Sequence, residues 1–147
     1  MRRLAAALAE LPVEAIITVG PAVETETITP APNVKVRRFI PHACLLPNCS
    51  LVVTHAGLGT VMAALAHGVP LLCMPMGREQ GDNAARVAAI GAGLGLPVEA
   101  QVAEIRATIS AMLESTHYRE AAQRMAAVMS QQDGLATAVK ELEALLG

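Results

Sequence analysis

The chain has 147 residues, 53% hydrophobic and 16% charged, which is enough apolar material for one core and too little length for two full domains. A net charge of -2 without a basic stripe argues against a dedicated nucleic-acid binder, which must neutralise phosphates. The three cysteines, Cys44, Cys49 and Cys73, are an odd, sparse set that reads as reduced thiols of a cytoplasmic protein.

Residues 2 to 10 read as a helix with Leu4 and Leu8 on one face. Arg2 and Arg3 ahead of an apolar run resemble a secretion signal only faintly, because Glu10 and Pro12 interrupt it too early. Ala15 to Val19 is a short apolar run stopped by Gly20-Pro21, a buried strand. Residues 21 to 33 are a loop rich in Thr, Pro and Glu. Val34-Lys35-Val36 alternates and leads into Phe39-Ile40 as a second strand, and Pro41 to Pro47 forms one helical turn. Leu51 to Thr54 is a third strand. Gly57 to His67 is a helix with Leu58, Val61, Met62 and Leu65 on one stripe, stopped by Gly68.

Leu71 to Met74 is a fourth strand, Gln80 to Ile90 a helix, and Leu94 to Leu96 a short last strand. From residue 100 three helices follow, divided near Ser115-Thr116 and Asp133-Gly134, with Thr116 and Asp133 as expected caps. Strands alternating with helices predict a parallel sheet covered on both faces, an α/β fold. Ligands of such sheets sit outside the carboxyl ends of the strands. No apolar run approaches the roughly 20 residues of a membrane span.

The segment Thr54-His55-Ala56-Gly57-Leu58-Gly59-Thr60 joins a strand end to a helix start. Its glycines allow a tight turn and close approach of a ligand. The helix N-terminus adds unpaired N–H groups and partial positive charge, the ingredients of a phosphate site. His55 and Thr60 contribute further donors. A bare strand-to-helix turn would look much the same, since Gly-x-Gly alone is weak. After the next strand, Glu79 and Gln80 offer the mixture of acceptors and donors that a sugar ring needs. Glu79 and Asp82 also suit the first turn of a helix electrostatically, and for Asp82 that plainer role is preferred. Phe39, before Pro41-His42, reads either as a ring for stacking on a base or as core. His42, Cys44 and Cys49 fit no common zinc pattern, and no metal site is expected.

Phe39-Ile40-Pro41-His42, His55 to Thr60, Gly68-Val69-Pro70, Glu79-Gln80 and Asn83-Ala84, taken together and in this order, resemble the donor-binding half of family 1 glycosyltransferases. The likeness is to the bacterial macrolide and natural-product branch. It implies a Rossmann-like parallel sheet with helices on both faces, the C-terminal half of the GT-B fold, over residues 1–147. It implies that Phe39 stacks on the nucleobase and that His42 lies near that base. It assigns the diphosphate to His55, Gly57, Gly59 and Thr60, the sugar hydroxyls to Glu79 and Gln80, and a supporting role to Asn83.

Where plant members carry a ribose-binding glutamate this chain has Ala63, so a thymidine-type donor becomes more plausible beside a uridine one. The resemblance further implies an acceptor-binding half and a general base that this sequence does not contain, so no catalytic residue is assigned. It also implies a sheet lacking its first, central strand. A final helix over 135 to 146 would have lost its docking surface, leaving it mobile or free to form a homodimer contact. The expected role is donor binding for inverting sugar transfer to a hydroxyl, with a nucleoside-diphosphate sugar as substrate and no cofactor; the aspartate pair of metal-dependent transferases is absent. The alternative is a non-catalytic nucleotide-binding module or inactive remnant. A dinucleotide-binding domain ranks low, because Met62 stands where its third glycine belongs.

Overall fold

A computed structural model describes residues 1–20, 31–132 and 134–146; most of the loop expected over 21–33, and the expected cap Asp133, lie outside the described residues. In chain order the elements are α1 (Arg2–Ala9), β1 (Ala15–Thr18), β2 (Val34–Arg37), α2 (His42–Leu45), a 3-10 turn (Leu46–Asn48), β3 (Val52–Thr54), α3 (Leu58–Ala66), β4 (Leu71–Cys73), α4 (Gln80–Ala89), β5 (Gly93–Gly95), α5 (Val102–Glu114), α6 (Thr116–Ser130) and α7 (Gly134–Leu146). Every observed strand pairing is parallel, as the alternation of strands and helices requires.

The strands form two sheets rather than one. β1 pairs with β2, and β3, β4 and β5 follow in that order. No ladder joins β1 to β3 among the described residues. The two sheets nonetheless share one hydrophobic cluster, in which Ile17 and Val34 of the first sheet meet Leu72 of the second together with Leu8, Ile105 and Ile109.

β4 shows why helices cover both faces. Successive side chains of a strand point to opposite sides. Leu71 and Cys73 enter the cluster built with α3, α4 and α6, while Leu72 enters the cluster built with α1 and α5. All three are fully buried, and each buried leucine contributes about 1.5–3 kcal/mol. At Gly93 a β-carbon would collide with the Leu71 carbonyl, so the β4–β5 approach requires glycine there.

The turn after α3 follows from Gly68, whose φ of 65° is the left-handed value that ends helices. The Gly68 N–H donates to Leu65 O at 3.0 Å and the Val69 N–H to Ala64 O at 2.9 Å, satisfying carbonyls that the helix leaves open. Gly68 also lets α6 come close, since a β-carbon there would stand 3.0 Å from Gln123 Cγ.

Three expectations are corrected. The buried face of α3 is Val61, Ala64 and Leu65; Leu58 and Met62 point outward, 56% and 46% exposed. An apolar pattern cannot say which of two adjacent stripes faces the core when both are hydrophobic. Phe39-Ile40 lies beyond β2, which ends at Arg37. Thr116 is the first residue of α6, and Ser115 occupies the capping position without a side-chain cap bond. His117 packs edge-on against Tyr118 with ring centroids 5.5 Å apart.

Candidate donor-binding site

β3 and β4 run in register, Thr54 opposite Cys73, so the loops that follow them leave the same carboxyl edge. The Met74 N–H donates to Thr54 O at 2.7 Å, zipping the two loop bases together. That edge is where open α/β sheets bind ligands.

The first loop carries His55, exposed at the strand end, followed by Ala56 and Gly57. Gly57 is the N-cap of α3, and no side chain caps that helix. The N–H groups of its first turn, at Leu58, Gly59 and Thr60, therefore remain open toward an anion. Gly59 has no heavy atom within 4 Å of where a β-carbon would stand, so its α-carbon faces open space. Thr60 is half-buried, and its hydroxyl makes no side-chain hydrogen bond among the described residues.

Ala56 has φ 66°, a left-handed conformation that costs a non-glycine residue about 1–2 kcal/mol. The Ala56 N–H donates to Thr54 Oγ1 at 3.2 Å, and Ala56 O accepts from Asn83 Nδ2 at 3.0 Å. Asn83 is 5% exposed, in the first turn of α4.

The second loop, Pro75 to Glu79, leads into α4. Gly77 and Arg78 both have positive φ, 142° and 56°. Gln80 closes this loop on itself, its Oε1 accepting the Met76 N–H at 2.8 Å. The Gln80 amide nitrogen is left unengaged among the described residues. Glu79 is at the N-cap of α4 and makes no side-chain cap bond, so its exposed carboxylate is also uncommitted among them. Asp82 lies in the first turn of α4, where its charge favours the helix. A cavity of about 500 Å³ opens beside this loop, lined by Pro75, Met76 and the segment Gly95 to Glu99.

Phe39 is 75% exposed, which removes the reading of this residue as core. His42 opens α2 and is exposed. The turn that follows brings Leu46 into one cluster with Ala56 and Val61, so α2 is anchored near the base of the first loop. No ring contact or hydrogen bond joins Phe39 or His42 to His55, Glu79 or Gln80 among the described residues. Ala63 sits half-buried against the core. Among the described residues no group of three His, Cys, Asp or Glu could hold a metal ion, and no helix is long and apolar enough to cross a membrane.

Sequence reasoning recognised Asn83 as a supporting position but not what it supports. The left-handed turn at Ala56 carried no signal, since alanine seldom adopts it. Arg119 also escaped notice: its Nη2 donates to Cys49 O at 3.0 Å and Ser50 O at 2.9 Å, pinning α6 to the segment ahead of β3. Burial raises the thiol of Cys73 from 9.0 to about 11. Burial raises that of Cys49 too, with the Arg119 guanidinium opposing.

Residues 2–145 match the family described as erythromycin biosynthesis protein CIII-like, C-terminal domain. The chain is 39% identical over 141 residues to 4'-demethylrebeccamycin synthase of Lentzea aerocolonigenes, covering 95% of this chain and 33% of that protein. The calicheamicin glycosyltransferase CalG4 superposes with a TM-score of 0.88 at 32% identity, covering 99% of this chain and 38% of that one. Spinosyn rhamnosyltransferase SpnG complexed with thymidine diphosphate gives a TM-score of 0.87 at 32% identity, covering 96% and 39%. The chain thus spans about a third of the length of the relatives it matches, and its fold is that of their C-terminal GT-B half.

Proposed function

The chain belongs to the family of erythromycin biosynthesis protein CIII-like C-terminal domains, and on that premise we propose that it binds the nucleoside-diphosphate sugar of an inverting glycosyl transfer to a hydroxyl. The observation that carries this reading is the uncapped start of α3 beside His55, at the carboxyl edge of a parallel sheet, with the Glu79 carboxylate and the Gln80 amide nitrogen uncommitted among the described residues on the next loop. The diphosphate lies against the first-turn amides and His55, and Thr60 adds a hydroxyl. Glu79 accepts from sugar hydroxyls and the free amide of Gln80 donates to them. Phe39, held out in solvent, supplies a ring for the base, with His42 beside it.

In transfer the acceptor oxygen attacks the anomeric carbon and the nucleoside diphosphate leaves with the bonding pair. Negative charge grows on the leaving phosphate, and donors already aimed at it lower the barrier. His55 and the α3 start do this in our reading, without a resident cofactor. The acceptor and the base that takes its proton come from a separate acceptor-binding domain or chain. Ala63 gives the ribose 2′-hydroxyl no partner, which favours thymidine-type donors; the structural relative SpnG is complexed with thymidine diphosphate.

Thermal unfolding of wild type and His55→Ala with UDP and dTDP tests this reading. A ligand that binds only the folded chain stabilises it, by about 2.7 kcal/mol at a hundredfold excess over Kd. We expect a shift in wild type, larger with dTDP, that collapses in His55→Ala. No shift with either nucleotide would overturn donor binding by these residues.

A further inference from the structure

The peptide at Ala56 is tightly constrained. Its backbone is left-handed at φ 66° and Ala56 is fully buried. Neither of its polar groups joins a strand ladder: Thr54 Oγ1 takes the N–H at 3.2 Å and Asn83 Nδ2 donates to the carbonyl at 3.0 Å. A buried carbonyl without that donor would cost about 1–3 kcal/mol, so the turn and Asn83 stand or fall together. The orientation of this peptide sets where the chain goes next, into Gly57 and the open amides of α3. It also sets where the chain came from, at His55.

Asn83 belongs to the helix that the sugar-side loop opens, and its backbone makes the first intrahelical bond of α4. It sits three residues after Gln80 in α4, and its own N–H donates to Glu79 O at 3.1 Å. Its side chain, 5% exposed, therefore spans from the helix that begins with the sugar-binding pair to the turn that presents the phosphate-binding groups. An ordinary buried asparagine would stabilise the fold; this one also joins the two halves of one pocket.

We propose that Asn83 is a positioning residue of the donor site, clamping the Ala56 turn so that His55 and the first-turn amides of α3 are held in register with Glu79 and Gln80. The inference rests on the donor-binding reading and deepens it. A rigid pairing of the two loops selects ligands whose diphosphate and sugar are joined at a set separation, and it removes the ordering cost that binding would otherwise carry.

The test uses the 147-residue chain with Asn83→Ala, Ala56→Gly and their combination, read by amide hydrogen exchange without ligand and by affinity for dTDP and thymidine. Asn83→Ala should speed exchange of the Ala56 amide, which is bonded to Thr54 Oγ1, about tenfold while α5 keeps wild-type protection. It should weaken dTDP by about tenfold, the scale of one hydrogen bond, and leave thymidine unchanged. Glycine adopts the left-handed turn without steric cost, so adding Ala56→Gly should restore most of the dTDP affinity. Should Asn83→Ala not fold, Asn83→Ser, with a shorter donor, is read in the same way. Equal binding of dTDP by wild type and Asn83→Ala, exchange raised uniformly over both cores, or no rescue by Ala56→Gly would each overturn the clamp. A wild-type chain that binds no nucleotide would instead remove the donor reading, and with it the ligand the clamp serves.

Discussion

The ring of His55 lies over Gly57: a β-carbon on that glycine would stand 2.7 Å from His55 Nε2. The backbone at Gly57 is ordinary, with φ -63° and ψ 136°, so alanine fits the chain there and conflicts only with the ring. His55 is exposed and can swing away cheaply. We expect Gly57→Ala to unfold within about 0.5 kcal/mol of wild type, as surface changes do, yet to lose nucleoside-diphosphate binding nearly as fully as His55→Ala. Melting curves with and without dTDP check this; undiminished binding would detach the ring from the site.

Gly59 should behave differently. A β-carbon there meets nothing within 4 Å, and alanine is favoured over glycine in a helix by up to about 1 kcal/mol. Gly59→Ala should therefore melt higher than wild type while binding dTDP more weakly, because in the proposed site the added methyl would crowd a phosphate held at the amides. Higher stability with unchanged affinity would place the phosphate elsewhere.

Cys73 makes stability depend on alkaline pH. Its thiol is raised from 9.0 to about 11 in the fold, so between those values the unfolded chain releases a proton that the folded chain retains. The folded state then binds more protons, and stability falls as pH rises through that window, by at most about 1.4 kcal/mol per pH unit. Urea melts from pH 8 to 11 should show the decline in wild type and a shallower one in Cys73→Ala. Equal slopes would remove the thiol as its source.

Asn33 ties the first sheet to α1. Its Nδ2 donates to Leu8 O at 2.9 Å, Leu11 O at 3.1 Å and Val13 O at 3.0 Å. These three carbonyls end α1 and form the turn into β1. Asn33→Ala should cost about 1–3 kcal/mol and loosen α1, β1 and β2 before α3, α4 and β4. Residue-resolved hydrogen exchange distinguishes that order from uniform loss.

Much of this molecule was legible in one dimension. The short apolar runs at Ala15, Leu51 and Leu71, the alternation at Val34, and the glycine at 68 marked the strands and the end of α3, because local backbone preference and apolar spacing act within a few residues. The candidate site could be read from residue types at strand ends, since phosphate and sugar each demand particular donors and acceptors. Other features depended on distant neighbours. Leu58 and Met62 looked like core, and Phe39 could not be distinguished from it, because hydrophobicity does not specify whether another element arrives to cover a side chain.

What the amino-acid order determined by itself is the alternation of strands and helices, the parallel class that follows, and a helix N-terminus behind His55 with acid and amide one strand later. Tertiary structure decided which stripe of α3 is buried, and that Ala56 adopts a left-handed turn. The reason is range: propensity, charge and glycine content act over a few residues, whereas the bond from Asn83 to Ala56 joins positions 27 apart and exists only once α4 has packed beside α3.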